Sequence, residues 1–237
     1  MTAIYKKELR SYFLTPIGYV FIGIFLLIGG VLFTGTNLLN GIGDMRYLFG
    51  NIWLMLSFVL LIPVLTMRTL AEEKNAKTDQ LLLTAPISVS SIVIGKVLAA
   101  ITVYTIALVI MLLYPIIMSF FTTLAWGEVI GNYIGYFLMG AAFVSIGVYI
   151  SSLTENQLIA AVSTFGILLA LFLIDMFSGV INQPILKVIV EWISVNRQFY
   201  DFTSGIIKLE SVIYYLSIVA LFTFLTVRHI ENRRWSK

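Results

Sequence analysis

Six long apolar runs separated by short polar stretches dominate the chain, at about residues 17–39, 47–67, 94–121, 129–150, 158–181 and 211–228. Each is near the roughly 20 residues that a helix needs to cross about 30 Å of hydrocarbon. No series of short alternating strands occurs, which argues against an outer-membrane barrel. The third run is long and contains Pro115, which predicts either a kink, because proline removes a helical N–H and crowds the preceding turn, or an outer end at the interface. The pattern predicts an all-α integral membrane protein with six transmembrane helices in a single domain, residues 1–237. There is no internal repeat and no low-complexity linker.

The polar stretches add shorter elements. Tyr5, Leu9, Tyr12 and Phe13 recur at helical spacing on one face, with Lys6, Lys7 and Arg10 on the others. This predicts an amphipathic helix over residues 1–16 lying along the interface, its cations reaching lipid phosphates. The alternative is that these cations only set topology. Thr15-Pro16 ends the helix and opens the first span. That span is too long for a signal-peptide core, and no small-x-small cleavage site follows it.

After the second span come Arg68, Glu72-Glu73-Lys74, Lys77-Thr78-Asp79, Leu81-Leu82-Leu83-Thr84 and Pro86. Thr78 is a candidate N-cap with Asp79 in the first turn, and Pro86 stops any continuation. Ser88, Ser90 or Ser91 then caps the next span. The reading is a short helix presenting Leu81, Leu82 and Leu83 as a docking surface. The alternative is that the leucines pack on the protein itself. Lys96 and Glu155 fall at inner helix ends, where they can snorkel. Ser151 to Gln157 forms a tight turn whose polar side chains cap the helices on either side. Asp175, inside the fifth run, either lines a polar pathway or reaches the interface. Over 182–210, Ile185, Val188, Ile189, Trp192 and Val195 form a helical stripe, followed by Phe199, Tyr200 and Phe202. One or two short helices dipping into the outer leaflet are expected there.

Composition sharpens the class. Of the 237 residues 59% are apolar and 11% charged, with mean hydropathy +0.98. Soluble domains are roughly half apolar and about a quarter charged. An ordinary soluble enzyme, a disordered chain and a nucleic-acid binder are therefore excluded. The net charge of +3 comes from short basic clusters between apolar runs. Eleven Lys and Arg fall on one side of the predicted topology and four on the other, which puts both termini in the cytoplasm. There is no cysteine, and the single histidine, His229, lies beyond the last run. A Ser–His pair within the membrane, or a metal-bound water beside Glu72-Glu73, thus lacks its histidines. No phosphate-cradling motif occurs, so this chain is read as no enzyme and as holding no cofactor, with energy supplied elsewhere.

Four stretches resemble the membrane subunit of ABC-2 type transporters, nearest the gliding-motility-associated exporter branch. They are Lys7-Glu8-Leu9-Arg10-Ser11-Tyr12-Phe13-Leu14-Thr15-Pro16, then Glu72-Glu73-Lys74 through Leu81-Leu82-Leu83-Thr84-Ala85-Pro86 to Gly95-Lys96, then Ser151 to Gln157, and finally Phe202 to Ile207 with the basic tail Arg233-Arg234-Trp235. The resemblance implies two permease chains, identical or different, in a prokaryotic plasma membrane, with two cytosolic subunits that bind ATP and Mg. It makes Glu72, Glu73, Thr78, Asp79, Leu81, Leu82, Leu83, Thr84 and Pro86 the ATPase-coupling element, and 182–210 a re-entrant segment before the sixth helix. Two positions depart from the pattern: Lys77 stands for the usual Gly, and Gln80 for the usual Glu. A stand-alone channel or ion-coupled carrier is the second reading, disfavoured by scarce buried carboxylates. A membrane scaffold is the third, disfavoured by the docking loop. The substrate stays open among lipid, peptide, polysaccharide, drug and ion.

Overall fold

The computed structural model describes residues 1–78, 87–178, 183, 190 and 194–235, with the backbone alone at 175–178 and 234–235. Helix α1 (Thr2–Leu14) leads into α2 (Pro16–Phe33), which a π-helical turn, Thr34–Leu38, extends. Thr15 between them is extended, with ψ 156°, which keeps it clear of the proline ring. Pro16 opens α2 where no N–H is needed. Next come α3 (Arg46–Phe49), α4 (Ile52–Thr66) and α5 (Ala71–Asn75). The third run forms α6 (Val89–Met111) and α7 (Leu113–Ser119). Then follow α8 (Trp126–Leu153), α9 (Gln157–Ser178), α10 (Val195–Thr203) and α11 (Leu209–Trp235).

Among the described residues there is no strand, and six helical stretches are long and apolar enough to cross a membrane. They are Pro16–Leu38, Ile52–Asn75, Val89–Ser119, Trp126–Leu153, Gln157–Ile174 and Leu209–Arg233. The all-α, six-span expectation holds, with two boundaries moved. The second span does not start at residue 47. Gly50 closes the single turn α3, and the Asn51 side chain accepts the Trp53 N–H at 3.0 Å to cap α4. The third span starts at Val89 rather than 94, because the Ser88 hydroxyl caps it through the Ser91 N–H. The regular helix is interrupted at Leu112, near the Met111 carbonyl for which Pro115 has no N–H.

The fourth and second spans are the interior of the bundle, with 83% and 72% of their most apolar stretches buried. The first, fifth and sixth are peripheral, at 28%, 22% and 17%. Glycines explain why α8 sits at the centre. A Cβ on Gly140 would stand 2.3 Å from the Tyr104 ring, one on Gly147 2.3 Å from Thr66 Oγ1, and one on Gly135 2.8 Å from Phe202. Missing side chains let neighbours approach from three directions, which matters where lipid is as apolar as the helices themselves. Hydrogen bonds then fix the register. The Tyr104 hydroxyl donates to the Tyr136 carbonyl and the Tyr136 hydroxyl to the Phe49 carbonyl, each at 2.7 Å.

The expected interfacial aromatics are placed differently. Phe199 and Phe202 on α10 are buried against the glycine face of α8, and only Tyr200 is exposed. Ser194 caps α10, and the Tyr215 hydroxyl of α11 donates to the Val195 carbonyl at 2.8 Å. The rest of the expected stripe, Ile185, Val188, Ile189 and Trp192, lies outside the described residues.

Candidate functional site

At the end of the bundle that gathers α1, α5 and the close of α8, polar side chains tie the second, third and fourth spans to α1. Helix α1 is docked on the bundle by one face. Its apolar face, including the buried Ile4 and Tyr12, packs on α6 and α2. Gly95 permits the approach, since a Cβ there would stand 3.2 Å from Ile4 Cγ2. The Tyr5 hydroxyl pairs with Thr102 Oγ1 at 3.0 Å. The Tyr12 hydroxyl donates to the Leu65 carbonyl at 3.1 Å. Burial pushes the Tyr12 pKa up to about 12, so it stays a neutral donor at physiological pH. Lys6, Lys7 and Arg10 face outward and are exposed.

Lys96 does not snorkel. Because α6 begins at Val89, Lys96 lies two turns inside the helix, and its side chain is only 1% exposed. Its ammonium donates to Glu8 Oε1 at 3.0 Å and to the Thr69 carbonyl at 2.8 Å, and lies 3.0 Å from Glu73 Oε2. An ammonium has three N–H groups, so one partner from each of three segments fills it. Lys7 donates to Glu73 Oε1 at 3.4 Å, and Arg68 to Glu72 Oε1 at 2.8 Å. Glu72 and Glu73 are therefore both occupied inside the protein. These groups line a cleft of about 290 Å³ between α1 and α5, together with Tyr12 and Thr78.

The five-residue helix α5 is held at both ends. Its N-terminal N–H groups find their acceptor on another span: Ser151 Oγ accepts from Leu70 at 3.2 Å and Ala71 at 3.1 Å, and donates to the Met67 carbonyl at 3.0 Å. Lys74 donates to the Ser152 carbonyl beside it. At the C-terminus the Lys77 N–H bonds to the Lys74 carbonyl at 3.1 Å and the Thr78 N–H to the Glu73 carbonyl at 3.0 Å. These two bonds are a Schellman closure, with Lys77 in the left-handed position at φ +56°. The Thr78 hydroxyl turns back to the Glu73 carbonyl at 3.3 Å.

Asp79, Leu81, Leu82, Leu83, Thr84 and Pro86 lie outside the described residues, as does the Asp175 side chain. Sequence reasoning missed Glu8, Lys96 and Ser151 as site residues. The signal was present, since complementary charges sit in the Lys7-Glu8, Glu72-Glu73 and Gly95-Lys96 stretches, far apart in sequence. Ser151 was expected to cap its own neighbours. Asn156 takes that role, accepting the Leu158 N–H at 2.8 Å.

The opposite end carries a different junction. The Arg46 guanidinium grips Glu128 through two hydrogen bonds, one of them Nε to Oε2 at 3.1 Å, with Asp44 at 3.8 Å. Asn37 braces the same loop, donating to the Ile42 and Asp44 carbonyls at 2.9 Å each. Among the described residues no group of His, Asp and Glu is arranged to hold a metal ion.

Six apolar spans, one of them a glycine-faced central helix, define a multi-pass membrane protein with a polar junction at one end. A family model described as ABC-2 family transporter protein matches residues 2–228. The chain belongs to that family, so it is a membrane permease component of an ABC transporter and not itself the catalytic part. No curated protein matches it in a sequence comparison.

Proposed function

We propose that this chain is the permease subunit of an exporter, driven by a separate cytosolic subunit that binds ATP and Mg, and that α5 with the loop following it is the coupling element. The observation that carries this reading is the fixation of α5. Glu73 ties it to Lys96 of the third span and to Lys7 of α1, and Ser151 ties it to the fourth. A push on residues 78–86 then reaches three spans and the N-terminal helix as one block. In this reading that end is cytoplasmic, both termini with it, in a prokaryotic plasma membrane. The uneven distribution of Lys and Arg supports the orientation. The resemblance of the opening stretch to the exporter branch supports the direction of transport.

A second permease chain belongs to the same reading. The peripheral first and fifth spans both pack on α4, and exposed apolar residues such as Leu27, Trp53, Leu60 and Val162 have no cover in this chain among the described residues. Gly23 and Gly166 have open space where a Cβ would be, which allows close helix approach.

The test is retention of the ATP-hydrolysing subunit on the full-length chain. Replacing Leu81 and Leu82 with Asp abolishes co-purification at matched membrane expression, because burying an unpaired carboxylate in an interface is strongly unfavourable. A double variant that inserts normally and keeps the ATPase refutes the coupling role of the loop.

A further inference from the structure

Helix α6 starts at the polar junction, and α11 returns to it, bringing His229 beside Lys74 and Ser152. Between them, in the half of the two spans nearest the junction, runs a groove of about 450 Å³. Eleven residues line it, and nine are apolar. The exceptions are Ser90, at one end, and Thr223, whose hydroxyl oxygen is buried. Helix α11 packs chiefly on α8 and less on α6. Along its groove row, Leu216, Ala220 and Phe224 recur at four-residue spacing, and the small Ala220 leaves the gap open.

The length of the groove selects its occupant. From Ser90 to Ile101 it measures roughly 16 Å at 1.5 Å per residue. One leaflet's share of a hydrocarbon core about 30 Å thick is about 15 Å. A helix of another chain would need a groove along the whole span, whereas an acyl chain of one leaflet matches this one. The mouth supplies the other half of a lipid site. Val227 ends the lining on α11, and Arg228 follows it with its guanidinium 5.2 Å from the centre of the Phe224 ring. That guanidinium has five N–H groups and makes one hydrogen bond, to Glu231 at 3.3 Å. The tail beyond carries Arg233, Arg234 and Lys237 against Glu231 alone, so this end is net basic.

We propose that the groove between α6 and α11 holds one acyl chain of an acidic phospholipid, with the lipid phosphate on Arg228. Arginine meets phosphate oxygens with paired N–H groups. The Phe224 ring keeps the guanidinium over the mouth. Basic residues just beyond a span favour acidic headgroups. The lining comes from the third and sixth spans, not from the first and fifth, where the second permease chain is placed.

The experiment extracts the full-length chain from its membrane in a mild detergent and counts retained phospholipids by native mass spectrometry. The native chain keeps one acidic phospholipid through washes that strip the rest. Ala220→Trp fills the groove, so retention falls to background, while thermal stability is unchanged because Ala220 is exposed. Val109→Trp, at an exposed position of α6 beyond the groove, retains lipid like the native chain. The washed chains are then offered phosphatidylglycerol and phosphatidylcholine. In Arg228→Gln the preference for phosphatidylglycerol falls roughly fivefold, the share of one basic side chain at an acidic lipid surface. Full retention by Ala220→Trp overturns the proposal, and an unchanged preference in Arg228→Gln overturns the placing of the phosphate. The chain has no cysteine, so Ala220→Cys carries the only thiol. Disulfide-linked pairs of that variant, formed in the membrane in high yield, would put a second copy in the groove and overturn the lipid assignment. None of these readouts involves an ATP-hydrolysing subunit, so their failure leaves the coupling reading as it stands.

Discussion

The two ends of the bundle are both fastened by ion pairs, yet the fastenings differ in kind. At one end the Lys96 side chain is 1% exposed and joins α1, the segment after the second span and α6. At the other, Arg46 and Glu128 join one loop to the start of α8, with side chains 45% and 26% exposed. Water screens the second pair and replaces its hydrogen bonds when it opens. It does neither for Lys96, whose removal strands Glu8 and Glu73 side by side. The comparison teaches that an ion pair's importance follows from what is left behind when it breaks. One end is built as a single block, the other as a latch that opens at small cost.

The sharpest way to break this comparison is at Lys96. Lys96→Ala is expected to destabilise the protein by about 3–5 kcal/mol, the usual consequence of removing one partner of a buried pair. Unfolding in detergent, followed by helical circular dichroism, measures it; a loss under about 1 kcal/mol removes the distinction between the ends. The companion is Lys96→Met with Glu8→Gln and Glu73→Gln. It removes the buried charge of Lys96 together with its two carboxylate partners and leaves only the exposed Lys7, so stability returns to within roughly 1–2 kcal/mol of the native chain. If the charges serve only stability, this variant transports normally. If they hold α5 in register, ATP turnover continues while substrate movement falls at least tenfold, as the resemblance-based coupling role requires.

The six spans were legible because apolar runs in a membrane protein are long and uninterrupted. Their ends were less so, and the site depended on the ends. Placing the third span from residue 94 put Lys96 near the surface, where snorkelling is the natural reading. The helix in fact begins at Val89, capped by Ser88, and this buries Lys96. The α1 periodicity was read correctly, but an amphipathic pattern states only that one face is covered, not by what. Here Gly95 admits the protein itself. Likewise Phe199 and Phe202 read as interfacial aromatics, because nothing local reveals that Gly131 and Gly135 stand opposite them. Ser151 is the hardest case, since a hydroxyl capping another span's helix leaves no pattern along its own.

Ser151 gives the intermediate effect. Ser151→Ala removes the acceptor for the Leu70 and Ala71 N–H groups and the donor to the Met67 carbonyl. The expected loss is about 1–2 kcal/mol, comparable to a lost helix cap with buried groups left unmet. Amide exchange at Leu70 and Ala71 rises in the same variant, while exchange around Arg46 does not change. Unchanged protection at Leu70 and Ala71 would mean that α5 is fixed by the Lys96 cluster alone.

The smallest effect belongs to the latch. A double-mutant cycle on Arg46→Ala and Glu128→Ala is expected to give a coupling of about 0.5–1 kcal/mol, the range of exposed pairs with good bidentate geometry. The hydrogen bond from Arg46 is bidentate, which favours the upper end, and its half-exposed side chain favours the lower. Added salt separates the two junctions. At about 1 M salt, where the screening length is about 3 Å, the Arg46–Glu128 coupling falls towards zero. The Lys96 effect falls less, because its side chain is only 1% exposed. ATPase retention is the second readout: the Arg46→Ala chain keeps its partner, since the latch lies at the far end of the bundle from α5. A coupling above about 2 kcal/mol that survives high salt would show that Arg46 and Glu128 act as a buried pair, and the contrast between a fixed end and an opening end would then be wrong.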